Sequence, residues 1–409
     1  MKRLVVIGGG AAGYFCAVNA ARMLPGLQVV ILEKTGKTLS KVKVSGGGRC
    51  NVTHDQQNVH ELVKSYPRGK NFLKRALFQF SPVQTMEWFE QRGVPLKTEK
   101  DGRVFPRSNH SQSIIDCLDA EVEKYGIQLQ LHANVQEITN TGTHWALKIG
   151  GVEDVLIADD LCIACGGFGK LEQFKWLESL GHKIVPPVPS LFTFNLGKHA
   201  ITDLMGVSVD NAVVRINGTK LIETGPLLIT HWGFSGPVIL RLSAWGANLL
   251  AEKEYQFMIQ VNWLGDRKEQ QLRTDWSRLR DQLGNQQLGD KNPFALPKRL
   301  WLYLLSAAGI EPGIFWSKLP AKPQNKLIQL LVSDTYVVNG KTTFKEEFVT
   351  CGGIDLAEVD PFTMESRIQP HLYFAGEVLN VDGITGGYNF QHAWASGWAA
   401  ACQIAKDAN

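Results

Sequence analysis

A glycine-rich turn between an apolar strand and a helix opens the chain. Residues 4–7 (LVVI) predict a short buried strand, the run GGGAAG follows at 8–13, and the segment through Leu24 predicts a helix that Pro25 and Gly26 end. In such a turn Gly8 permits the tight bend, Gly10 lets the backbone approach a pyrophosphate, and Gly13 lets the helix pack on the sheet. The N-terminal amides of the helix then face the phosphates. This start predicts a Rossmann-type dinucleotide-binding fold.

Two acidic residues extend the prediction from the phosphates to the rest of the ligand. Residues 28–32 predict a second strand, and Glu33 follows it at the distance where a carboxylate accepts hydrogen bonds from ribose hydroxyls. Near the C-terminus, Glu377 follows another predicted strand and could bind ribityl hydroxyls. The run GGYNF at 386–390 begins a helix whose N-terminal amides could stabilise negative charge on a reduced flavin ring. These features favour FAD over NAD as the bound dinucleotide.

Composition narrows the class of protein. The chain has 409 residues, enough for two or three domains, and its net charge is +4 with 43 Lys and Arg against 39 Asp and Glu. We expect no nucleic-acid partner from so small and evenly spread a charge, and no membrane partner because no apolar run has the length of a membrane span. Seven irregularly spaced cysteines suit a reducing compartment, so we expect a cytoplasmic protein with a small-molecule substrate.

The cysteines near the glycine motifs are interpreted as structural. Cys162 and Cys165 form a CxxC on a predicted strand, where residues three apart face opposite sides of the sheet, so no disulfide is predicted. No metal site is predicted either, because no second CxxC and no HxxxH completes one. Cys50 lies just after the run SGGG at 45–48, and this position would also suit a redox role. Buried packing is favoured for Cys50, since flavin disulfide reductases use two neighbouring cysteines and this segment has one.

The composition changes at PPVPS (186–190), which predicts a domain boundary. The fold class predicted is α/β: a Rossmann-type FAD-binding domain with an inserted β-rich, barrel-like domain and a small helical subdomain. The predicted boundaries are 1–188 and 350–409 for the FAD-binding domain, 189–265 and 330–349 for the β-rich insertion, and 266–329 for the helical subdomain.

Seven ordered motifs together resemble one family of bacterial flavoproteins. They are GGGAAG (8–13), SGGGRCN (45–51), GRVFP (102–106), THWGFSGP (230–237), TCGGI (350–354), TMESR (363–367) and LYFAGEVLNVDGITGGYNFQHAWASG (372–397). The chain resembles the BaiN-like family, which includes aminoacetone oxidase and was formerly labelled NAD(FAD)-utilizing dehydrogenase. Two residues depart from the expected pattern: Asn380, where many members carry Asp, and His392, at a position regarded as variable.

The resemblance implies that the SGGGRCN loop lies close to the flavin, with Arg49 and Asn51 supplying polar contacts. It also implies that Val135 contacts the adenine through its backbone and that the segment from Ala164 lies near the flavin nucleotide. The candidate FAD-binding residues are Gly8, Gly10, Ala12, Gly13, Glu33, Lys34, Lys41, Ser45, Gly46, Gly47, Arg49, Cys50, Asn51, Val135, Ala164, Gly166, Gly376, Glu377, Gly387, Tyr388, Asn389 and Phe390.

Candidate substrate-site residues lie in two other motifs. His231 and Trp232 come first as pocket residues, and Arg103, Phe105 and Arg107 come second; the catalytic candidates are His231, Cys50 and Arg49. We expect an oxidoreductase that moves a hydride between a small organic substrate and flavin N5, fed by NAD(P)H that docks transiently. The alternatives are an FAD-dependent amine oxidase that uses oxygen, and a non-catalytic or RNA-modification-related FAD-binding protein.

Overall fold

The computed structural model describes residues 2–342 and 349–407. The chain forms two compact units, Met1–Ser190 with Phe344–Asn409, and Leu191–Thr343. The first segment contains, in chain order, β1 (Arg3–Ile7), α1 (Ala11–Met23), β2 (Gln28–Leu32), α2 (Ser40–Gly48), β3 (Thr53–His54), α3 (Val59–Leu62), α4 (Lys70–Gln79), α5 (Pro82–Glu90), β4 (Leu96–Thr98), β5 (Arg103–Pro106), α6 (Gln112–Lys124), β6 (Gln128–Gln130), β7 (Val135–Asn140), β8 (Trp145–Ile149), β9 (Leu156–Ala158), β10 (Asp160–Ile163), α7 (Lys175–Glu178) and β11 (Ile184–Ser190).

The second unit is built on an antiparallel sheet covered by helices. Its elements are β12 (Thr193–Asn195), β13 (Ser208–Ile216), β14 (Ile222–Thr230), β15 (Gly233–Ser235), α8 (Pro237–Trp245), α9 (Ala247–Glu252), β16 (Gln256–Asn262), α10 (Glu269–Leu283), α11 (Lys298–Ala307), α12 (Ala321–Ser333), β17 (Asp334–Asn339) and β18 (Lys341–Thr342). The sheet order is β17-β16-β13-β14-β15-β12-β18. The chain then returns to the first unit with β19 (Val349–Ile354), β20 (Leu372–Phe374) and α13 (Tyr388–Lys406).

The first unit has a parallel sheet in the order β20-β10-β1-β2-β6. β1, β2 and β10 are almost continuously apolar, as strands covered on both faces are. Ile7 pairs with Leu32 on one side and with Ile163 on the other. This register brings the carboxyl ends of the three strands to one edge, where parallel α/β sheets bind their ligands.

α1 and α13 pack closely because small residues meet between them. A Cβ on Gly397 would lie 2.8 Å from the carbonyl oxygen of Ala12, nearer than real Cβ contacts come. The fold class is confirmed: a Rossmann-type domain with a parallel sheet is joined to a β-rich insertion. The helical segment predicted at 266–329 buries Trp276 and Trp301 in the same apolar core as β13 and β16. The predicted three-part division itself stays a prediction.

No helix within residues 2–342 and 349–407 combines the length and the apolar character needed to span a membrane.

Candidate functional site

The turn after β1 leaves the N-terminus of α1 open. Gly8 has a φ of +116°, and a Cβ there would lie 2.3 Å from the carbonyl oxygen of Ala164; a Cβ on Gly13 would lie 2.1 Å from the carbonyl oxygen of Gly8. Around Gly10, by contrast, no described atom beyond its chain neighbours comes within 4 Å of a Cβ position. Gly10 caps α1 without a side-chain hydrogen bond. The free amides of the first turn therefore face a space that an anion can enter.

Glu33 joins this turn to the end of β2. Its carboxylate accepts hydrogen bonds from the backbone N–H of Gly9 (2.9 Å) and from the backbone N–H and hydroxyl of Thr35 (2.9 and 2.8 Å). The amide of Ala133 donates to the backbone carbonyl of Glu33 (2.9 Å), so the segment that leads to Val135 lies beside the same strand end. The ammonium of Lys34 lies 5.4 Å from the ring centre of Phe168.

The SGGGRCN loop interrupts α2. Ser45, Gly46 and Gly47 have non-helical backbone angles, and three successive glycines are left-handed, with φ values of +57°, +68° and +82° for Gly46, Gly47 and Gly48. Such a run is accessible to glycine at little cost. No described atom outside the loop neighbours lies within 4 Å of a Cβ position on Gly47 or Gly48. The loop therefore presents bare backbone to its surroundings.

Arg49 lies in a cluster of charged and aromatic side chains, of which only some were predicted as site residues. Its Nη1 lies 2.7 Å from Glu99 Oε1, and its Cζ lies 4.0 Å from the ring centre of Phe105. Arg103 reaches the other carboxylate oxygen of Glu99 at 3.2 Å. The structure thus brings together three predicted residues, Arg49, Arg103 and Phe105. Glu99, which pairs with both arginines, was not predicted as a site residue. Arg107 is exposed, and its Nε donates to a backbone carbonyl of β4 (3.1 Å).

Cys50 is fully buried, and burial raises the pKa of its thiol to about 12. It therefore carries a protonated thiol at neutral pH, whereas thiol nucleophiles act as thiolates. Its backbone N–H donates to the carbonyl of Ser45 (3.0 Å), which closes the loop. All seven cysteines are free. Cys162 interacts with Cys16 of α1, and the thiol of Cys165 donates to a backbone carbonyl at 3.7 Å, so the CxxC pair has separate partners.

Glu377 forms a second polar centre at the same sheet edge. One carboxylate oxygen accepts from the backbone N–H of Thr350 (2.8 Å), and the other accepts from Lys41 (2.5 Å). The preceding residue, Gly376, donates its N–H to Ser396 Oγ (2.9 Å). Thr350 Oγ1 is buried and has no hydrogen-bond partner among the described residues.

The SGGGRCN loop meets the N-terminus of α13. A Cβ on Gly387 would lie 2.9 Å from Asn51 Oδ1, which is buried and unpartnered within the described part of the chain. The Tyr388 ring stacks on His54, with 4.9 Å between ring centres and a 17° interplanar angle. The Asn389 side chain bonds both the N–H and the carbonyl of one residue of the preceding loop (2.8 and 2.9 Å). Phe390 stacks on a tryptophan of its own helix at 5.8 Å.

His54 is a site residue that the sequence reasoning missed, although it ends the stretch VSGGGRCNVTH. Burial lowers the pKa of His54, so the ring is neutral at pH 7. Its Nε2 lies 3.1 Å from the carbonyl oxygen of Asp101, which assigns the proton to Nε2. Nδ1 is then an acceptor, and it is buried without a partner among the described residues. The signal that could have found it is its position next to a glycine loop of the site.

The two residues that depart from the family pattern also carry unpartnered polar atoms. Asn380 Oδ1 and His392 Nε2 are both buried, and neither has a hydrogen-bond partner in the described ranges. His392 is 2% exposed, and burial lowers its pKa to about 3, so its ring is neutral.

The residues present fit a bound FAD. Buried polar atoms without partners are rare in folded proteins and point to a missing ligand or water. Here the unpartnered Asn51 follows the uncovered Gly47 and Gly48, and the unpartnered Thr350 lies against Gly167, next to the uncovered Gly166. A long polar dinucleotide needs both features.

His231 and Trp232 lie in the second unit. The exposed His231 ring meets the Trp232 ring edge-on at 4.2 Å, and Trp232 Nε1 donates to Thr193 Oγ1 (3.0 Å). Their role in a substrate pocket stays a prediction. The described residues contain no cluster of His, Cys, Asp and Glu suited to a metal ion.

The chain is similar to known proteins in its sequence and in its fold. The family described as HI0933-like protein Rossmann domain matches residues 2–403. A ribosomal RNA dihydrouridine synthase from Escherichia coli is 32% identical over 411 residues, covering 97% of this chain and 96% of the relative. A 3-dehydro-bile acid delta(4,6)-reductase from Clostridium scindens is 29% identical and covers 98% of both chains. The crystal structure of a 3-ketosteroid-delta4-(5alpha)-dehydrogenase from Rhodococcus jostii aligns over 98% of this chain and 97% of its own, with a TM-score of 0.51 and 13% identity, which supports the fold alone.

One expectation from the sequence is wrong. We expected no nucleic-acid partner from the small net charge, and the relative named a ribosomal RNA dihydrouridine synthase contradicts that expectation. The physical reason is that binding to a polyanion depends on where basic side chains cluster, which a total over the whole chain does not report.

Proposed function

We propose that this chain, which belongs to the HI0933-like family of Rossmann-domain proteins, reduces uridine in ribosomal RNA to dihydrouridine. The chain is an FAD-dependent oxidoreductase, and the proposal concerns its substrate and its electron donor. The observation that carries it is the 32% identity to the E. coli ribosomal RNA dihydrouridine synthase, which extends over 97% of the chain. A likeness spread over both units supports a shared reaction more strongly than a shared nucleotide-binding segment would.

The proposed reaction saturates the C5–C6 double bond of uracil, which is conjugated to the C4 carbonyl. One hydride adds to C6 and one proton to C5, so the base gains two electrons and two hydrogens. When bound, FAD supplies the hydride from N5. The substrate of the bile acid reductase relative also carries double bonds conjugated to a ketone, so the two relatives share one class of chemistry, the reduction of an activated alkene.

The proposed roles of this chain's residues follow from the site. The amides at the start of α1 bind the pyrophosphate, and the Glu33 carboxylate binds ribose hydroxyls beside the turn it already bridges. Asn51 and the first amides of α13 bind the polar edge of the flavin ring, because the two loops meet there. NAD(P)H is the proposed electron donor. Since the GGGAAG turn serves FAD, the nicotinamide nucleotide would dock transiently.

A second candidate function is the reduction of a free α,β-unsaturated ketone. The observation that favours it is the 29% identity to the bile acid reductase over 98% of both chains. The two candidates share the cofactor and the donor and differ in the acceptor, so supplying either acceptor to the reduced protein distinguishes them.

The test is the dihydrouridine content of ribosomal RNA in the encoding organism with and without the gene. We expect the gene's deletion to remove dihydrouridine from ribosomal RNA, measured by mass spectrometry of its nucleosides, and the wild-type gene to restore it. Dihydrouridine in transfer RNA serves as the internal control and should not change. An unchanged dihydrouridine content in ribosomal RNA after deletion would contradict the proposal.

A further inference from the structure

The outward face of α4 is basic and carries an exposed aromatic ring. The sequence of the helix, KNFLKRALFQ, contains three basic residues and no acidic one. Lys70 and Arg75 are exposed, Lys74 is partly exposed, and Phe78 exposes 54% of its surface. The apolar residues of the opposite face, among them Leu73, lie in the core of the unit. Phe78 is therefore an apolar side chain that the packing of the helix does not require.

A second exposed ring lies beside the same helix. Phe362 exposes 52% of its surface, and its carbonyl accepts a hydrogen bond from the Gln79 side chain (2.8 Å). The guanidinium of Arg75 lies 5.2 Å from the ring centre of Phe362, and the ammonium of Lys74 lies 5.9 Å from that of Phe78. We name Lys70, Lys74, Arg75, Phe78 and Phe362 the α4 surface. It alternates cations with flat rings, which is the pattern that binds single-stranded nucleic acid.

The start of α4 is fixed to the loop that leads into the cofactor site. A Cβ on Gly69, the N-cap of α4, would lie 2.5 Å from Val381, so helix and loop are in direct contact. Arg68, just before that cap, bonds both carboxylate oxygens of the buried Asp382. The N–H of Ile384 donates to a carbonyl of the segment before α4 (3.0 Å). This loop continues into the N-terminus of α13, so these contacts fix the start of α4 to a segment that leads into the site.

We propose that the α4 surface binds a single-stranded segment of ribosomal RNA that flanks the reduced uridine. This inference rests on the proposed function. Bases stack on Phe78 and Phe362, while Lys70, Lys74 and Arg75 contact the phosphates. An anionic membrane suits this surface less well, because an interfacial helix inserts a continuous apolar face and the apolar face of α4 is buried in the core.

The experiment compares three purified full-length variants with the wild type. Phe78→Ala removes one stacking ring, and the pair Lys70→Glu with Arg75→Glu reverses two charges. The pair Lys148→Glu with Lys175→Glu makes the same change of charge at exposed positions on β8 and α7 and serves as the control. Binding to transcribed ribosomal RNA is measured at several salt concentrations, together with flavin reduction by NAD(P)H and the yield of dihydrouridine.

We expect Phe78→Ala to weaken RNA binding roughly tenfold. The Lys70 and Arg75 pair should lower the slope of log K against log salt by about 1.4, that is, about 0.7 for each lost phosphate contact to a single strand. Both variants should reduce flavin at the wild-type rate, and the control pair should bind RNA as the wild type does within about twofold.

The possible failures are distinguishable. If the wild type forms dihydrouridine and the α4 variants bind RNA no differently from the control pair, the inference about the surface is overturned and the proposed function stands. If RNA binding depends on the α4 surface but no dihydrouridine forms, the proposed function fails and the surface stands as an RNA-binding site. Binding of the wild type to vesicles with anionic lipid, lost in the α4 variants, with no binding to RNA would overturn the inference in favour of a membrane surface.

Discussion

Two alanine substitutions in the GGGAAG turn should affect different properties of the protein. One should weaken FAD binding, and the other should lower the stability of the fold. Gly10 has φ −95° and ψ −174°, angles that any residue adopts, and the space around its Cβ position is open to the described chain. A Cβ on Gly13 would lie 2.1 Å from the backbone carbonyl oxygen of Gly8. Gly10→Ala should therefore leave the protein folded and weaken FAD binding, whereas Gly13→Ala should destabilise the fold itself.

The magnitudes follow from the same contacts. For Gly10→Ala, the reduced entropy of the unfolded chain stabilises the fold by about 0.4–1 kcal/mol, and the poorer N-cap offsets roughly half a kcal/mol of that. The free energy of unfolding should change by less than about 0.5 kcal/mol. For Gly13→Ala, overpacking against rigid backbone costs about 3 kcal/mol, and the better helix propensity of alanine returns about 1 kcal/mol. The net loss is about 2 kcal/mol.

The assay is thermal unfolding of each apoprotein, followed by titration with FAD. A methyl group where the backbone approaches the pyrophosphate introduces about 1–3 kcal/mol of overpacking, which corresponds to a Kd for FAD raised roughly 5- to 150-fold in Gly10→Ala. The midpoint of Gly10→Ala should stay within about 2 °C of the wild type. A Gly10→Ala protein that binds FAD with wild-type affinity would refute the assignment of this turn to the pyrophosphate.

Three further predictions test the packing of the site. Gln391→Leu leaves the buried hydroxyls of Thr53 and Thr85 without their shared acceptor (2.6 and 2.9 Å) and should lower the free energy of unfolding by about 2–3 kcal/mol, measured by urea denaturation. His392 is neutral in the folded protein, where its pKa is lowered to about 3, but it is protonated below about pH 6.5 in the unfolded chain. The free energy of unfolding should therefore fall by about 2 kcal/mol between pH 6.5 and pH 5. His392→Leu should remove this dependence of stability on pH. Cys50, with its thiol pKa raised to about 12, should resist iodoacetamide at pH 8 in the native protein and react after unfolding, followed by mass spectrometry; rapid native alkylation would contradict its burial.

The strand, turn and helix at the start of the chain could be predicted because their signals are local. A bend at Gly8 and a close approach at Gly13 depend on residues within a few positions of each other, and the apolar run of β1 gives the strand that precedes them. The parallel sheet follows from the same signals, since β1 and β2 are joined by a helix.

The surroundings of Arg49 could not be predicted, because its partners are distant in sequence. Glu99 lies fifty residues away and reaches Arg49 only because β5 pairs with β3 and β4. The spacing of charged residues along the chain does not predict which strands pair. His54 and Tyr388 were missed as a stacked pair for the same reason.

The wrong expectation about a nucleic-acid partner came from using the net charge of the whole chain. A net charge of +4 over 409 residues hides a helix with three basic residues and no acidic one. The sequence does show that run, but only the structure shows that Phe78 is exposed while Leu73 is buried, and that Phe362 joins the same surface from a distant part of the chain.

The most direct test of the proposed reaction is a single turnover without oxygen. The purified protein is reduced with one equivalent of NAD(P)H, mixed anaerobically with transcribed ribosomal RNA, and followed both by the flavin absorption band and by the dihydrouridine recovered from the RNA. We predict that the oxidised flavin band returns and that about one dihydrouridine forms for each flavin reoxidised. A flavin that stays reduced in the presence of the RNA, but is reoxidised by a free α,β-unsaturated ketone, would contradict the account.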